Sequence, residues 1–263
     1  MLKYALFGII VFLCYGFGNL IGTSALIIAI LYTVYLNYPA FIAIKGNKEI
    51  NNRNLELGYE NYKKAYKTNR ASADICLTYG MLALRCGKPD EAVATFNGLI
   101  LNPKIKLNIK NQAKQYRTLA FYKLGQVEDA LEEAEEIFNK YKNTTSYGLI
   151  CYLKLATNKP IEDVIPLCKE AYEYNSDDRD IVDNLAFAYI KNNEYEKAKE
   201  LVDKMLEDYP TFTEAYYHGA IVYSKLGDIK KAKELLDKLE ENCTSTYLTT
   251  VSDEEINNLK NSL

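Results

Sequence analysis

Hydrophobic and polar residues follow two different patterns along this chain. From Tyr4 to Ile44 there are 41 consecutive positions without a charged side chain, a run longer than a soluble core helix requires. It weakens at Gly16, Gly18, Asn19 and Gly22, where helix propensity is poor. The run therefore predicts two apolar helices, residues 4–21 and 23–44, about 27 and 33 Å long at the usual rise per residue. Each holds ten Leu, Ile, Val or Phe, a content that favours insertion into a bilayer. Pro39 should kink or shorten the second helix. Beyond Lys45 apolar residues recur three and four apart among charged ones, the pattern of amphipathic helices.

Those later helices repeat with a fixed period. Small or apolar residues at Ala130, Val164, Ala198 and Ala232 are each 34 apart. Parallel columns run through Phe121, Leu155, Tyr189 and Tyr223, and through Val127, Ile161, Tyr195 and Ile229. An aromatic residue, a glycine-like turn and a small residue nine positions after the aromatic, all at this period, resemble the tetratricopeptide repeat. The resemblance covers residues 51–246. It implies an all-α, tetratricopeptide-like (TPR-like) helical solenoid of about five repeats (73–106, 111–144, 145–178, 179–212 and 213–246), one or two transmembrane helices preceding it.

A leading half-repeat occupies residues 47–72, with Leu55, Gly58, Tyr62 and Ala65 on one face. The spacing from Ala92 to Ala130 is 38. Four extra residues therefore lie within Lys104–Lys110, as a longer turn or an extra helical turn. In the repeat 145–178, Pro166 requires a second helix that begins late, near Glu162, or bends. Residues 247–263 should close the array: Ser252 and Glu255 have the capping-box spacing, with Ile256 and Leu259 facing inward.

Charge changes the picture at the N-terminus. Lys3 is the sole charged side chain before Lys45. Lys45, Lys48 and Arg53 follow the second apolar segment, and the stretch between the two segments carries no charge. The positive-inside rule then places the repeats in the cytoplasm, with residues 1–46 as the membrane anchor, whether the run crosses twice or once with a re-entrant first half. A cleaved signal peptide fits poorly, because no small-x-small site follows the first apolar run and a second follows at once. Gly18 and Gly22 form a G-x-x-x-G pair that serves as a hairpin turn or seats a helix contact.

The remaining 35 acids and 31 basic residues are interspersed, which argues against a nucleic-acid binder. Six cysteines include no C-x-x-C pair, and with one histidine they supply no zinc-ligand set. Cys151 and Cys168 fall where two paired helices would bring them face to face. No catalytic motif for hydrolases, nucleotide binding or metalloproteases occurs, so the chain reads as a non-enzyme needing no cofactor or metal.

The resemblance also implies where partners bind. The first helix of each repeat lines a concave groove in this family. Carried over, the positions are Leu77 and Met81, then Tyr116, Leu119 and Tyr122, then Leu149 and Leu153, then Asp183, Asn184 and Phe187, then Tyr217, His218 and Ile221. The family's carboxylate-clamp subgroup needs Lys and Asn where this chain has Leu77 and Met81, so acidic C-terminal tails are not its ligands. Asn184 stands where the family hydrogen-bonds a peptide backbone. A second patch, Lys104, Lys106, Lys110, Lys114 and Arg117, has no acid between Phe96 and Glu128 and suits lipid or an acidic partner. The expected function is a membrane-tethered scaffold or adaptor for a protein or peptide. The alternative is a structural subunit or assembly factor of an integral membrane complex, engaged through the N-terminal hairpin.

Overall fold

The computed structural model describes residues 2–207, 210–243, 249 and 251–263, with side chains from Gly8 onward. Among these residues it holds fourteen helices and no strand. They form two compact units, Met1–Leu82 and Ala83–Leu263.

In the first unit, α1 (Leu2–Tyr15) and α2 (Asn19–Asn51) make a hairpin. Its turn is tied by the N–H groups of Gly16, Phe17 and Gly18, which donate to the carbonyls of Leu13, Cys14 and Tyr15. Gly18 has a φ of 125°, and Gly22 admits the ring of Tyr15, which a Cβ there would approach to 2.3 Å. The glycine pair thus serves both as turn and as helix contact. With 14 residues, α1 is about 21 Å long, short of the ~30 Å hydrocarbon core. Among the described residues only α2, with 33, is long and apolar enough to cross a membrane. Of the one or two crossing helices expected, one candidate is present among the described residues.

The second helix also runs further than the apolar pattern implied, 19–51 rather than 23–44, unbroken through Pro39 and beyond Lys45. The reason is α3 (Leu55–Tyr66), which folds back along it. A Cβ on Gly46 would sit 2.7 Å from the Tyr62 ring, and one on Gly58 2.5 Å from Ile50. The two backbones therefore approach as closely as glycine allows. Tyr62 donates its hydroxyl to Asn47 Oδ1 at 2.7 Å, and its burial raises the phenol pKa. Nearer the apolar end, the Arg70 guanidinium lies 3.6 Å from the centroid of the Tyr35 ring. Ahead of that contact the side chains lie open, Phe17 being 79% and Leu20 83% exposed.

Helix α4 (Ala73–Arg85) runs from the first unit into the second. There follow α5 (Pro89–Leu101), α6 (Leu107–Lys123), α7 (Val127–Lys140), α8 (Thr144–Ala156), α9 (Ile161–Tyr174), α10 (Arg179–Lys191), α11 (Tyr195–Leu206), α12 (Thr213–Lys225), α13 (Ile229–Asn242) and α14 (Asp253–Ser262). From α5 onward each helix but the last packs against its successor, and α6, α8, α10 and α12 also touch in series. The small-residue column is the seam. Ala130, Val164, Ala198 and Ala232 are all buried, because a larger side chain would push the paired axes apart.

One backbone device makes each pair. Gly87, Gly125, Asn158, Asn193 and Gly227 all adopt positive φ just after α4, α6, α8, α10 and α12. The next residue's N–H then reaches back to a carbonyl five residues earlier, as Gln126 does to Phe121 (2.9 Å) and Glu194 to Tyr189 (2.9 Å). That is a Schellman closure, which turns the chain sharply enough for antiparallel packing. The four-residue excess resolves as an extra helical turn, since α6 has 17 residues where α4, α10 and α12 have 13. Pro166 is accommodated inside α9, which starts at Ile161. Ser252 and Glu255 cap α14 reciprocally, and Ile256 is buried. The join between the last repeat and this cap falls partly at residues 244–248, outside the described residues.

Candidate functional site

Helices α6, α8, α10 and α12 present successive faces to one concavity of about 680 Å³ within the second unit. The spacing of three and four residues brings side chains to a common face: Tyr116 and Leu119 from α6, Leu149 and Tyr152 from α8, Asp180, Asp183, Asn184 and Phe187 from α10, and Glu214 and His218 from α12. The α6 and α8 walls contribute mainly aromatic and aliphatic side chains, and α10 and α12 add carboxylates.

Between α10 and α12, Asp183 Oδ1 accepts from His218 Nδ1–H at 2.7 Å. Both are buried, and the Phe187 ring stacks on the imidazole at 4.5 Å between centroids. Burial alone would lower the imidazole pKa. The facing carboxylate of Asp183, by its charge and hydrogen bond, with Glu214 more distant, outweighs that effect, so the net direction is upward. Asp180 is pushed up to about 6 by its enclosure between the walls and by the neighbouring carboxylates of Asp178, Asp183 and Glu214. Its own surface is open to solvent, so the repulsion is partly screened. Thr249 donates its hydroxyl to Glu214 at 2.7 Å and offers its carbonyl to Lys123 at 2.9 Å.

Seven of the thirteen predicted groove residues line the concavity: Tyr116, Leu119, Leu149, Asp183, Asn184, Phe187 and His218. Asn184 is also engaged within the fold. It donates its amide N–H to the Gly148 carbonyl at 3.0 Å, so it joins α10 to α8. The other six do not line it. Leu77 and Met81 belong to the first unit. Leu153 is fully enclosed, because its position on α8 points into the core. Tyr122 packs edge-on against Tyr152 at 5.9 Å. Tyr217 and Ile221 pack, half-buried, against the hydrophobic clusters.

The basic patch is likewise divided. Lys114 pairs with Glu136 at 3.1 Å, and Arg117 makes a two-pronged contact with Glu133 and also reaches Asn97. Lys104 and Lys106 remain exposed. The carboxylates Asp178, Asp180 and Glu214 were missed from sequence. Each stands at the start of a helix, where acids commonly offset the positive helix end, and only stacking α10 beside α12 brings them together. Among the described residues no cluster of His, Cys, Asp or Glu is arranged to hold a metal.

Residues 158–220 match one tetratricopeptide-repeat family model and residues 214–243 match a second. The fold resembles a tetratricopeptide repeat protein from Parabacteroides merdae, 15% identical over 80% of this chain and 82% of that one, with a TM-score of 0.53. It also resembles a thermophilic TPR protein of Thermus thermophilus, 18% identical over 73% of this chain and 96% of that one, with a TM-score of 0.55. No curated protein matches the chain. The chain carries tetratricopeptide repeats and folds as an all-α TPR-like solenoid. Stacked helix pairs of this kind present extended concave surfaces.

Proposed function

We propose that this protein is a membrane-tethered scaffold that holds a protein or peptide segment in the concavity of α6, α8, α10 and α12. The observation that carries the reading is the mixed lining of apolar side chains and carboxylates. Tyr116, Leu119 and Leu149 offer apolar seats on α6 and α8, while Asp178, Asp180 and Glu214 add carboxylates from α10 and α12. Apolar anchors supply affinity and charges set register and choice of partner. A segment combining apolar and basic side chains fits this lining, and an acidic one is repelled. The α1–α2 hairpin anchors the chain in a membrane with the repeats on the cytoplasmic side, as Lys45, Lys48 and Arg53 indicate. Tethering raises the local concentration of a captured partner at the membrane.

The test is site-specific photo-crosslinking in the intact membrane-bound chain. A crosslinker at Tyr116 or Leu119 should capture the same partner, and one at Glu200 on the outer helix α11 should not. Equal capture from Glu200, or none from the concavity, rejects the groove.

A second reading rests on the open apolar side chains of α1 and α2: a structural subunit that joins an integral complex through the hairpin. Deleting residues 1–34, which leaves Tyr35 to pack under Arg70, separates the two. The scaffold retains its partner in solution, and the structural subunit loses it.

A further inference from the structure

The turn between α5 and α6 displays two leucines where the repeat departs from its period. Leu101, the last residue of α5, is 78% exposed, and Leu107, the first of α6, is 62% exposed. Lys104 and Lys106 lie between them, exposed, and Lys110 follows one turn into α6. The added helical turn, Leu107–Lys110, is what carries Leu107 outward.

The display is held rigidly. Asn102 accepts from the Lys104 N–H through its side chain at 2.9 Å and from the Ile105 N–H through its carbonyl at 3.2 Å. The Lys106 carbonyl accepts from the N–H groups of Ile109 and Lys110. Ile109 is buried and fixes the root of the turn. The charge is of one sign. Lys114 and Arg117 are consumed by Glu136 and Glu133, whereas Lys104, Lys106 and Lys110 make no ion pair among the described residues. The first turn of α6 holds no acid, unlike those of α5, α7 and α9. The positive end of the helix therefore adds to the lysines.

We propose that the turn Leu101–Lys110 docks on an anionic lipid bilayer. Leu101 and Leu107 enter the boundary between headgroups and acyl chains, and Lys104, Lys106 and Lys110 meet lipid phosphates. Two leucines on one projecting turn offer far less area than a stable protein interface buries. A bilayer needs no matching groove, and paired apolar and basic residues are what a peripheral lipid contact requires. The contact is independent of how residues 4–44 meet the membrane.

The chain has no tryptophan, so Leu107→Trp makes a single-tryptophan reporter in the full-length protein. It is reconstituted into phosphatidylcholine vesicles with or without phosphatidylserine, some with brominated acyl chains. With phosphatidylserine, the emission should shift to the blue and be quenched by the brominated chains. Replacing Lys104, Lys106 and Lys110 with Gln should weaken this local docking about a hundredfold, read as loss of quenching. A water-like emission without quenching in anionic vesicles overturns the proposal. So does quenching that is equal in neutral vesicles or survives the triple Gln change. A blue shift already present in detergent, insensitive to brominated lipid, assigns the leucines to a protein partner or a second copy and also overturns it. Flotation of the same vesicles reports attachment through the N-terminal segment separately, and Leu101→Trp repeats the measurement should the first variant fold poorly.

Discussion

Asp183 and His218, separated by about one repeat in sequence, meet across the α10–α12 contact at 2.7 Å, both buried. Because the folded imidazole titrates above its ordinary value, the pair stabilises the fold most where the unfolded imidazole is also protonated, below about pH 6.5. That stabilisation is lost as pH rises through the raised folded value. Urea midpoints of the wild type should therefore fall between about pH 6 and pH 9, and His218→Gln should flatten the fall. An unchanged slope in His218→Gln would remove the pair as its source. Asp183→Ala leaves the imidazole buried without its acceptor, so the ring should lose its proton and the change should cost about 1–3 kcal/mol at pH 6.

Asp180 acts in the opposite sense to a salt-bridged acid. Its pKa rises from 3.8 to about 6 on folding, so its ionisation costs stability as pH climbs through that window. Asp180→Asn should raise the melting temperature at neutral pH and leave it unchanged below about pH 4. A lower melting temperature at neutral pH would show that the positive end of α10 outweighs the neighbouring carboxylates.

Asn184 donates to the Gly148 carbonyl, and its replacement by Ala removes that α8–α10 bond while the carbonyl keeps its partner within α8. The expected cost is about 1 kcal/mol, read from chemical denaturation. Tyr116→Ala, by contrast, should melt close to wild type and weaken partner capture. If Asn184→Ala is as stable as wild type, the α8–α10 bond is not structural.

Ala198 is fully buried at the α10–α11 seam. Ala198→Leu should overpack it and cost about 1–3 kcal/mol. A wild-type melting curve would place the seam elsewhere.

Cys151 and Cys168 face one another in the core, and their hydrogen bond, followed by burial, pushes the Cys151 thiol well above its ordinary range. A thiolate is the reactive form. Both should resist maleimide in the native protein and react on unfolding, as mass spectrometry of labelled peptides would show. Native labelling of either would indicate that α8 and α9 separate readily.

The repeats were legible because their seam demands small residues at a constant interval, and no other constraint puts Ala130, Val164, Ala198 and Ala232 in one column. The turns were less so. Asn158 and Asn193 replace glycine at positive φ, which asparagine tolerates, so the glycine signal fades in the middle of the array. The length of α2 was hidden for another reason. Lys45 and Lys48 signal the end of an apolar run, while the helix continues because α3 packs upon it through Gly46 and Gly58. Seven of the twenty-two residues lining the concavity were named from the family resemblance. The carboxylates Asp180 and Glu214 were not, since they are 34 residues apart and become neighbours only through stacking. Leu153 was misplaced by about a third of a helical turn, enough to exchange groove for core.

The clamp of α3 on α2 has a mechanical corollary. Tethers that let a cargo roam are written in glycine and serine and behave as slack chain. Here the stretch leaving the apolar segment is wound into helix and gripped by Tyr62, Ile50 and Arg70. A pull on the N-terminal end of α2 is therefore transmitted to α3 as load on those grips, and the joint behaves as a stiff mount.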